Sequence, residues 1–208
     1  MTSARRPHRP ARDPQRTQER ILKAALREFA AKGFAGARVD AIARRARINK
    51  RMLYHYFGNK DGLFREILRR KIREHAGWAN IAPDDPADGL PYWFDVACED
   101  REWIRLLQWE ALQVGEHRII GEAERREAVE AALARFRDRQ RRGLLPPDLD
   151  SGHLLLSIMA VMTFPLAFPQ LTRLVVGRGP HDPGFRKERT VFLRDFALAI
   201  GPRPPRNP

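Results

Sequence analysis

Cysteine is almost missing from this chain: Cys98 is the only one in 208 residues, which excludes an intramolecular disulfide framework and a zinc cluster built on thiolates. A reducing, cytoplasmic setting fits that usage. Proline is absent between Pro14 and Pro83, so helix and turn can run almost unbroken through that interval. Acidic side chains are scarce there too. Residues 1–75 carry 21 Lys and Arg against 7 Asp and Glu, a net +14, whereas the other 133 residues carry 18 against 19. The formal +13 of the whole chain therefore belongs to one end, as when one module meets a polyanion and the other does not.

Long apolar runs are lacking as well. Residues 154–169 hold no charge, but they fall short of the ~20 apolar residues a membrane span requires, and Pro165 and Pro169 interrupt them. A buried helix is expected, and no membrane partner. The N-terminal MTSARRPHRPARDPQR has basic residues with no apolar core after them, so it does not read as a signal peptide. The six histidines, at 8, 55, 75, 117, 153 and 181, show no metal-ligand spacing, and HExxH, GxSxG and GxxxxGK patterns are absent. No catalytic residue, metal site or cofactor is expected. The acidic clusters Glu99, Asp100, Glu102 and Glu122, Glu124, Glu127 read as solvated helix faces. No alternating strand pattern or internal repeat appears, so the fold class is all-α.

What the chain does have is concentrated between Arg38 and Lys60. Val39, Ile42, Ala43 and Ala46 recur at three- and four-residue steps, the mark of a short helix with one small apolar stripe. Asn49 then caps a second helix, in which Leu53 and Phe57 point inward. Arg51 and His55 point the opposite way, flanked by Met52 and Tyr54. Upstream, a helix opening at Asp13-Pro14 or Thr17 buries Ile21, Leu22, Ala25, Leu26 and Phe29 and stops at Gly33. Downstream, a helix behind Asn59 carries Leu63, Phe64, Ile67 and Leu68 as far as Arg73. Two helices at a tight turn, the second packed on one face and free on the other, suit docking in a DNA major groove.

From Thr17 to about Arg73, and above all in LYHYFGNKDGLF from Leu53 to Phe64, the chain resembles the DNA-binding domain of the TetR (tetracycline-repressor) family of bacterial transcription regulators. The resemblance implies a helix-turn-helix DNA-binding domain at residues 15–75 and a helical effector-binding and dimerisation domain at 76–202. A flexible basic arm at 1–14 and a disordered tail at 203–208 flank them. The arm, with Arg5, Arg6, Arg9 and Arg12, either lies along DNA or only adds positive charge. The family's base- and phosphate-contacting helix corresponds to Lys50, Arg51, Met52, Tyr54 and His55. Tyr56 and Lys60 match its phosphate-binding positions, and Arg38 opens the preceding helix. The sequence departs from the family where Arg47 stands for a common turn glycine and Ala37-Arg38 for a Ser or Thr cap, each worth ~1 kcal/mol.

In the second module GWANIAPDDPADGLP, residues 77–91, reads as a linker or irregular corner, followed by helices over 93–99, 103–114, 122–142, 150–164 and 185–200. The family pairs its last two long helices in a dimer. The apolar positions that would do so here are Leu154, Leu155, Ile158, Val161 and Met162, then Phe185, Phe192, Phe196 and Ile200. Trp93, Trp103 and Trp109, with Trp78 and Phe94, and with Met159 and Met162 approaching, suggest a pocket for a small apolar or aromatic effector. Gln108, Gln113 and His153 are its candidate polar anchors. The resemblance thus implies a homodimeric repressor of double-stranded operator DNA, released by a small molecule. The competing readings are a helical enzyme or small-molecule carrier with a solubilising basic end, and a protein that coats DNA without sequence choice.

Overall fold

The computed structural model describes residues 13–113 and 119–201. Among them it contains helices and no strands: α1 Pro14–Gly36, α2 Val39–Arg45, α3 Lys50–Phe57, α4 Lys60–Ile81, α5 Pro86–Glu99, α6 Arg101–Gln113, α7 Glu122–Arg141, α8 Ser151–Ala167, α9 Pro169–Val176 and α10 Pro183–Ile200. Residues 1–12 of the expected basic arm, the end of the expected 103–114 helix and the 203–208 tail lie outside the described residues. Of the arm's last two residues, Asp13 caps α1 and Pro14 opens it.

The helix starts follow one local rule. Asp13, Asn49, Asn59, Asp85, Asp150 and Asp182 each accept a backbone amide of the first turn behind them, and Pro14, Pro86, Pro169 and Pro183 stand where a missing N–H costs nothing. That rule corrects the expected linker at 77–91. α4 runs past Arg73 to Ile81, and α5 already begins at Pro86, where Asp85 Oδ1 accepts from the Ala87 amide at 2.8 Å. Asp-Pro there starts a helix and does not mark a loop. The 154–169 run likewise divides: α8 passes through Pro165, ends at Ala167, and α9 leaves at 91° to it. Among the described residues no single helix is long and apolar enough to cross a membrane.

Two apolar cores result. The first joins Ile21, Leu22, Ala25 and Phe29 of α1 to Ile42, Leu53, Leu63, Phe64, Ile67 and Leu68, and takes in Leu106 of α6. The second joins Leu90, Phe94 and Cys98 of α5 to Leu154, Ile158 and Met162 of α8 and Phe185, Leu193 and Ala197 of α10. The apolar stripes of α8 and α10 are therefore shared between two duties. Leu154, Ile158, Met162 and Phe185 fill this monomer's core, while Leu156, Met159, Phe164, Val191, Phe192 and Leu198 face outward. Burial pushes the Cys98 thiol up to about 11, which keeps it protonated and unreactive.

α6 is the strut between the cores. At Gly33, with φ 69° and ψ 177°, α1 breaks its ladder, and α6 takes over the freed backbone. Arg105 Nε donates to the Ala30 carbonyl at 2.8 Å and Trp109 Nε1 to the same oxygen at 3.3 Å. Gln113 Oε1 accepts from the Ala35 amide at 3.2 Å. At its other side Gln108 Nε2 donates to the Ala167 carbonyl, the end of α8, at 2.6 Å.

Candidate DNA-binding face and the interior of the second module

Backbone chemistry fixes the turn between α2 and α3. The Ile48 amide donates to the Ala43 carbonyl at 3.0 Å and the Arg47 amide to the Arg44 carbonyl at 3.1 Å, so the last carbonyls of α2 are satisfied by a Schellman closure. Arg47 occupies the position such a closure normally gives to glycine, at φ 52°, the strain expected from the sequence. Arg38 caps α2 with no side-chain bond, again as its sequence suggests. Its backbone amide instead faces the buried carboxylate of Glu28. Burial raises that carboxyl's pKa, but Lys32 at 3.0 Å and the Arg38 amide more than offset it and leave it below its usual value.

α3 opens where Asn49 Oδ1 accepts from the Met52 amide at 2.8 Å. Leu53 is fully buried and Phe57 packs beside it in the first core, which turns Arg51, Tyr54 and His55 out to solvent. Lys50 is exposed as well, but is engaged across the turn, 3.0 Å from Asp40, which raises its pKa through their hydrogen bond. Met52 is half-buried beside Thr17 and Arg20 of α1. Tyr56 leans into the first core. Lys60 donates to the Ala35 carbonyl at 3.2 Å and stands 4.8 Å over the Phe34 ring, and burial lowers its pKa. Of the residues expected to touch DNA, Arg51, Tyr54, His55 and Lys50 thus share the open ridge, Arg38 lies exposed at the start of α2, and Met52, Tyr56 and Lys60 are shoulders packed against the module.

Gly62 holds that ridge at its angle to α4. A Cβ there would meet the Phe57 carbonyl oxygen far inside van der Waals contact, and that atom is backbone, unable to rotate away. Gly62→Ala is expected to cost ~1 to 3 kcal/mol, as overpacking does, despite alanine's better helix propensity. Urea unfolding measures this; an unchanged midpoint would mean that α3 and α4 can slide apart freely.

In the second module the expected pocket residues separate into three places. Trp93 and Trp103, joined by Trp78, surround the His75 ring at centroid distances of 6.4, 5.3 and 4.8 Å. Met162 and Phe94 are buried in the second core. Trp109 is tied to α1 and Met159 is exposed on the outer side of α8. Gln108 and Gln113 bridge helices, as described above, and His153 is exposed behind the α8 cap. The acidic cluster at residues 99–102 also needs correction. Glu99 is solvated, but Asp100 is buried: its Oδ1 lies 2.8 Å from Lys71 Nζ and its Oδ2 3.1 Å from His75 Nε2. Asp100 closes α5 at φ −102°, ψ 56°, which turns its side chain inward, away from its neighbours' course.

Two clefts, of about 460 and 410 Å³, lie on the DNA-binding module. Arg16, Arg20, Lys23, Arg27, Arg45 and Arg47 line the first. The signal for these residues is in the sequence, at the i, i+4, i+7, i+11 spacing of the first four, but the opposite wall comes from a later helix.

Residues 21–67 match the family described as "Bacterial regulatory proteins, tetR family", and residues 91–197 the "Tetracyclin repressor-like, C-terminal domain". The chain is 38% identical over 169 residues to the HTH-type transcriptional repressor SCO4008 of Streptomyces coelicolor, covering 81% of this chain and 88% of that protein. It is 29% identical over 198 residues to the HTH-type transcriptional repressor NicS of Pseudomonas putida, covering 90% and 93%. The crystal structure of the putative transcriptional regulator SCO4942 from Streptomyces coelicolor superposes with a TM-score of 0.76 at 29% identity, over 90% of this chain and 99% of that one. With a helix-turn-helix braced on all but its outer ridge and matches that span both modules, this chain belongs to the TetR family and is a DNA-binding transcriptional regulator.

Proposed function

We propose that this regulator is a repressor: a cytoplasmic homodimer that holds a roughly palindromic operator and lets it go when a small apolar or aromatic molecule binds its second module. The observation that carries the reading is the Arg51–Tyr54–His55 ridge, exposed on a helix whose other face is buried, in a chain whose relatives SCO4008 and NicS are named repressors. Arginine can bond both acceptors on a guanine edge, and Tyr54 can press on a thymine methyl. The half-buried Trp78, Trp93 and Trp103 around His75 support an aromatic effector, since they join α4, which carries the DNA-binding module, to α5 and α6. To act, the effector has to favour a geometry whose ridges no longer match the grooves.

Selection of bound sequences from random duplex tests this directly and yields the operator. On that operator Arg51→Ala is expected to cost ~1 to 3 kcal/mol and relax choice at one base position per half-site, whereas Lys60→Ala weakens all sequences alike. Uniform loss in both variants would remove Arg51 from base reading.

A further inference from the structure

We propose that the cleft between α1 and the α2–α3 turn is a second phosphate-binding track, holding DNA backbone beyond the bases that α3 reads. The inference rests on the DNA-binding reading above and adds a surface to it. Arg16, Arg20, Lys23 and Arg27 fall on one face of α1, and Arg45 and Arg47 form the facing wall. The stripe on α1 is ~16 Å long at 1.5 Å per residue, enough to pass four or five phosphates of one strand at ~3.4 Å of helix axis each.

No carboxylate lines this cleft. The two acidic residues of the same helix are turned elsewhere: Glu28 is buried against Lys32, and Glu19 pairs with Arg70 at 2.6 Å. All six cations are exposed, and among the described residues none forms an ion pair. Arg20 is oriented by the chain itself, donating to the carbonyls of Ala46 and Arg47, the latter at 3.1 Å. Six like charges around one opening repel one another, and an entering polyanion relieves that repulsion.

The chain supplies no such polyanion at either end. Residues 1–12 carry Arg5, Arg6, Arg9 and Arg12 with no acidic side chain, and residues 202–208 carry Arg203 and Arg206 with none. The occupant therefore comes from outside. Continuity identifies it: Arg20 and Arg47 also line the second cleft, with Thr17, Asn49 and Met52, which leads straight to the start of α3. A backbone strand leaving the read bases can follow that path without crossing an acidic or apolar barrier. Contacts of this kind position the protein and carry no base information.

The test uses the full-length protein with the double variant Lys23→Glu, Arg27→Glu, both exposed and far from α3. Binding is measured against salt on the selected operator with flanking sequence and on random duplex of the same length, with hydroxyl-radical footprints of the operator complex. Relative to wild type, the variant is expected to reduce the log–log salt slope by about 2 on both duplexes, one unit for each lost phosphate contact. It should also lose backbone protection outside the read bases while keeping the wild-type sequence preference. An unchanged slope and footprint overturn the track and leave the operator reading intact. Conversely, a wild-type protein without sequence preference whose slope still falls in the variant overturns the operator reading and keeps the track. If inorganic triphosphate binds the wild type and not the variant while DNA slopes stay equal, the cleft is a small-anion site and the proposal fails.

Discussion

Asp100→Ala is expected to lower the free energy of unfolding by about 3 kcal/mol, because it strips the partner from a buried cation. The Asp100 side chain is 4% exposed and Lys71 13%, and they meet at 2.8 Å. Burial by itself would raise the carboxyl's pKa, but the hydrogen bonds and charges of His75 and Lys71 outweigh it and hold the group below the usual carboxylate range. Lys71 shifts the other way: burial lowers its pKa, and Asp100 and Glu74 more than restore it. Breaking one side of such a pair typically costs ~3 to 5 kcal/mol. The lower end applies here, since Glu74 remains 3.0 Å from Lys71. For an acid whose folded pKa is depressed, the stabilisation is present above its unfolded value of ~3.9 and fades as pH falls through the folded value. The gap between wild type and variant in urea titrations should thus be full near neutral pH and close in acid. A midpoint shift worth under ~1 kcal/mol at neutral pH, with unchanged slope, would sink the assignment. Lys71→Met with Asp100→Leu should recover most of the loss, because no charge is then left buried alone.

The same contact explains how the two modules are kept in register. Lys71 and His75 belong to α4, the helix that begins beside the DNA ridge at Lys60, and Asp100 stands at the junction of α5 and α6. α6 in turn grips α1 at Ala30 and Ala35. A ligand that moved the tryptophans around His75 would pull on both ends of that frame.

How much of this was legible in the sequence depends on how local each cause is. The helix-turn-helix was, because its caps, Asn49 and Asn59, and its buried positions, Leu53 and Leu63, act within a few residues of one another. Asp100 was not. Its neighbours in the chain are acidic and solvated, and only the backbone turn at the end of α5 sends it inward toward a lysine 29 residues away. The basic track was half legible: the α1 stripe follows from spacing, but the facing Arg45 and Arg47 are brought there by tertiary packing. The three tryptophans at 93, 103 and 109 looked like one group because they are close in the chain. Helical geometry sends Trp109 to α1 and the other two to His75. Turn formers misled at 83–91, where Asp85 and Pro86 serve as a cap and a first helical residue.

Charge reversal on the outer apolar face, Leu156→Glu with Phe192→Glu, is expected to convert the dimer to monomers and to reduce affinity for the palindromic operator by roughly 10²- to 10⁴-fold, the gain that linking two half-sites confers. In the monomer this face leaves Leu156 at 64%, Leu174 at 80% and Val175 at 83% exposure, beside Met159, Phe164, Phe168 and Phe192. Soluble monomers rarely leave apolar patches larger than a few hundred Å² in water. α8 and α10 meet where Arg189 donates to the Val161 carbonyl at 2.7 Å while lying 4.7 Å over the Phe192 ring, so they can present one surface. Ile158, an interface residue on sequence grounds, is 5% exposed within the second core, and a charge there would test folding instead of pairing. Leu156 and Phe192 avoid that ambiguity, being exposed already, so circular dichroism and the urea midpoint should hardly change. With a two-fold interface each substitution appears twice, against itself or its neighbour, which makes like-charge repulsion hard to escape. The two ridges have to stand ~34 Å apart to reach successive major grooves, and only the dimer fixes that distance. Affinity for a single half-site should therefore stay the same while affinity for the palindrome falls to meet it. Sedimentation alongside DNA titration decides the matter: a variant that still sediments as a dimer removes this face from the interface, and a monomer with undiminished palindrome affinity removes the need for pairing at all.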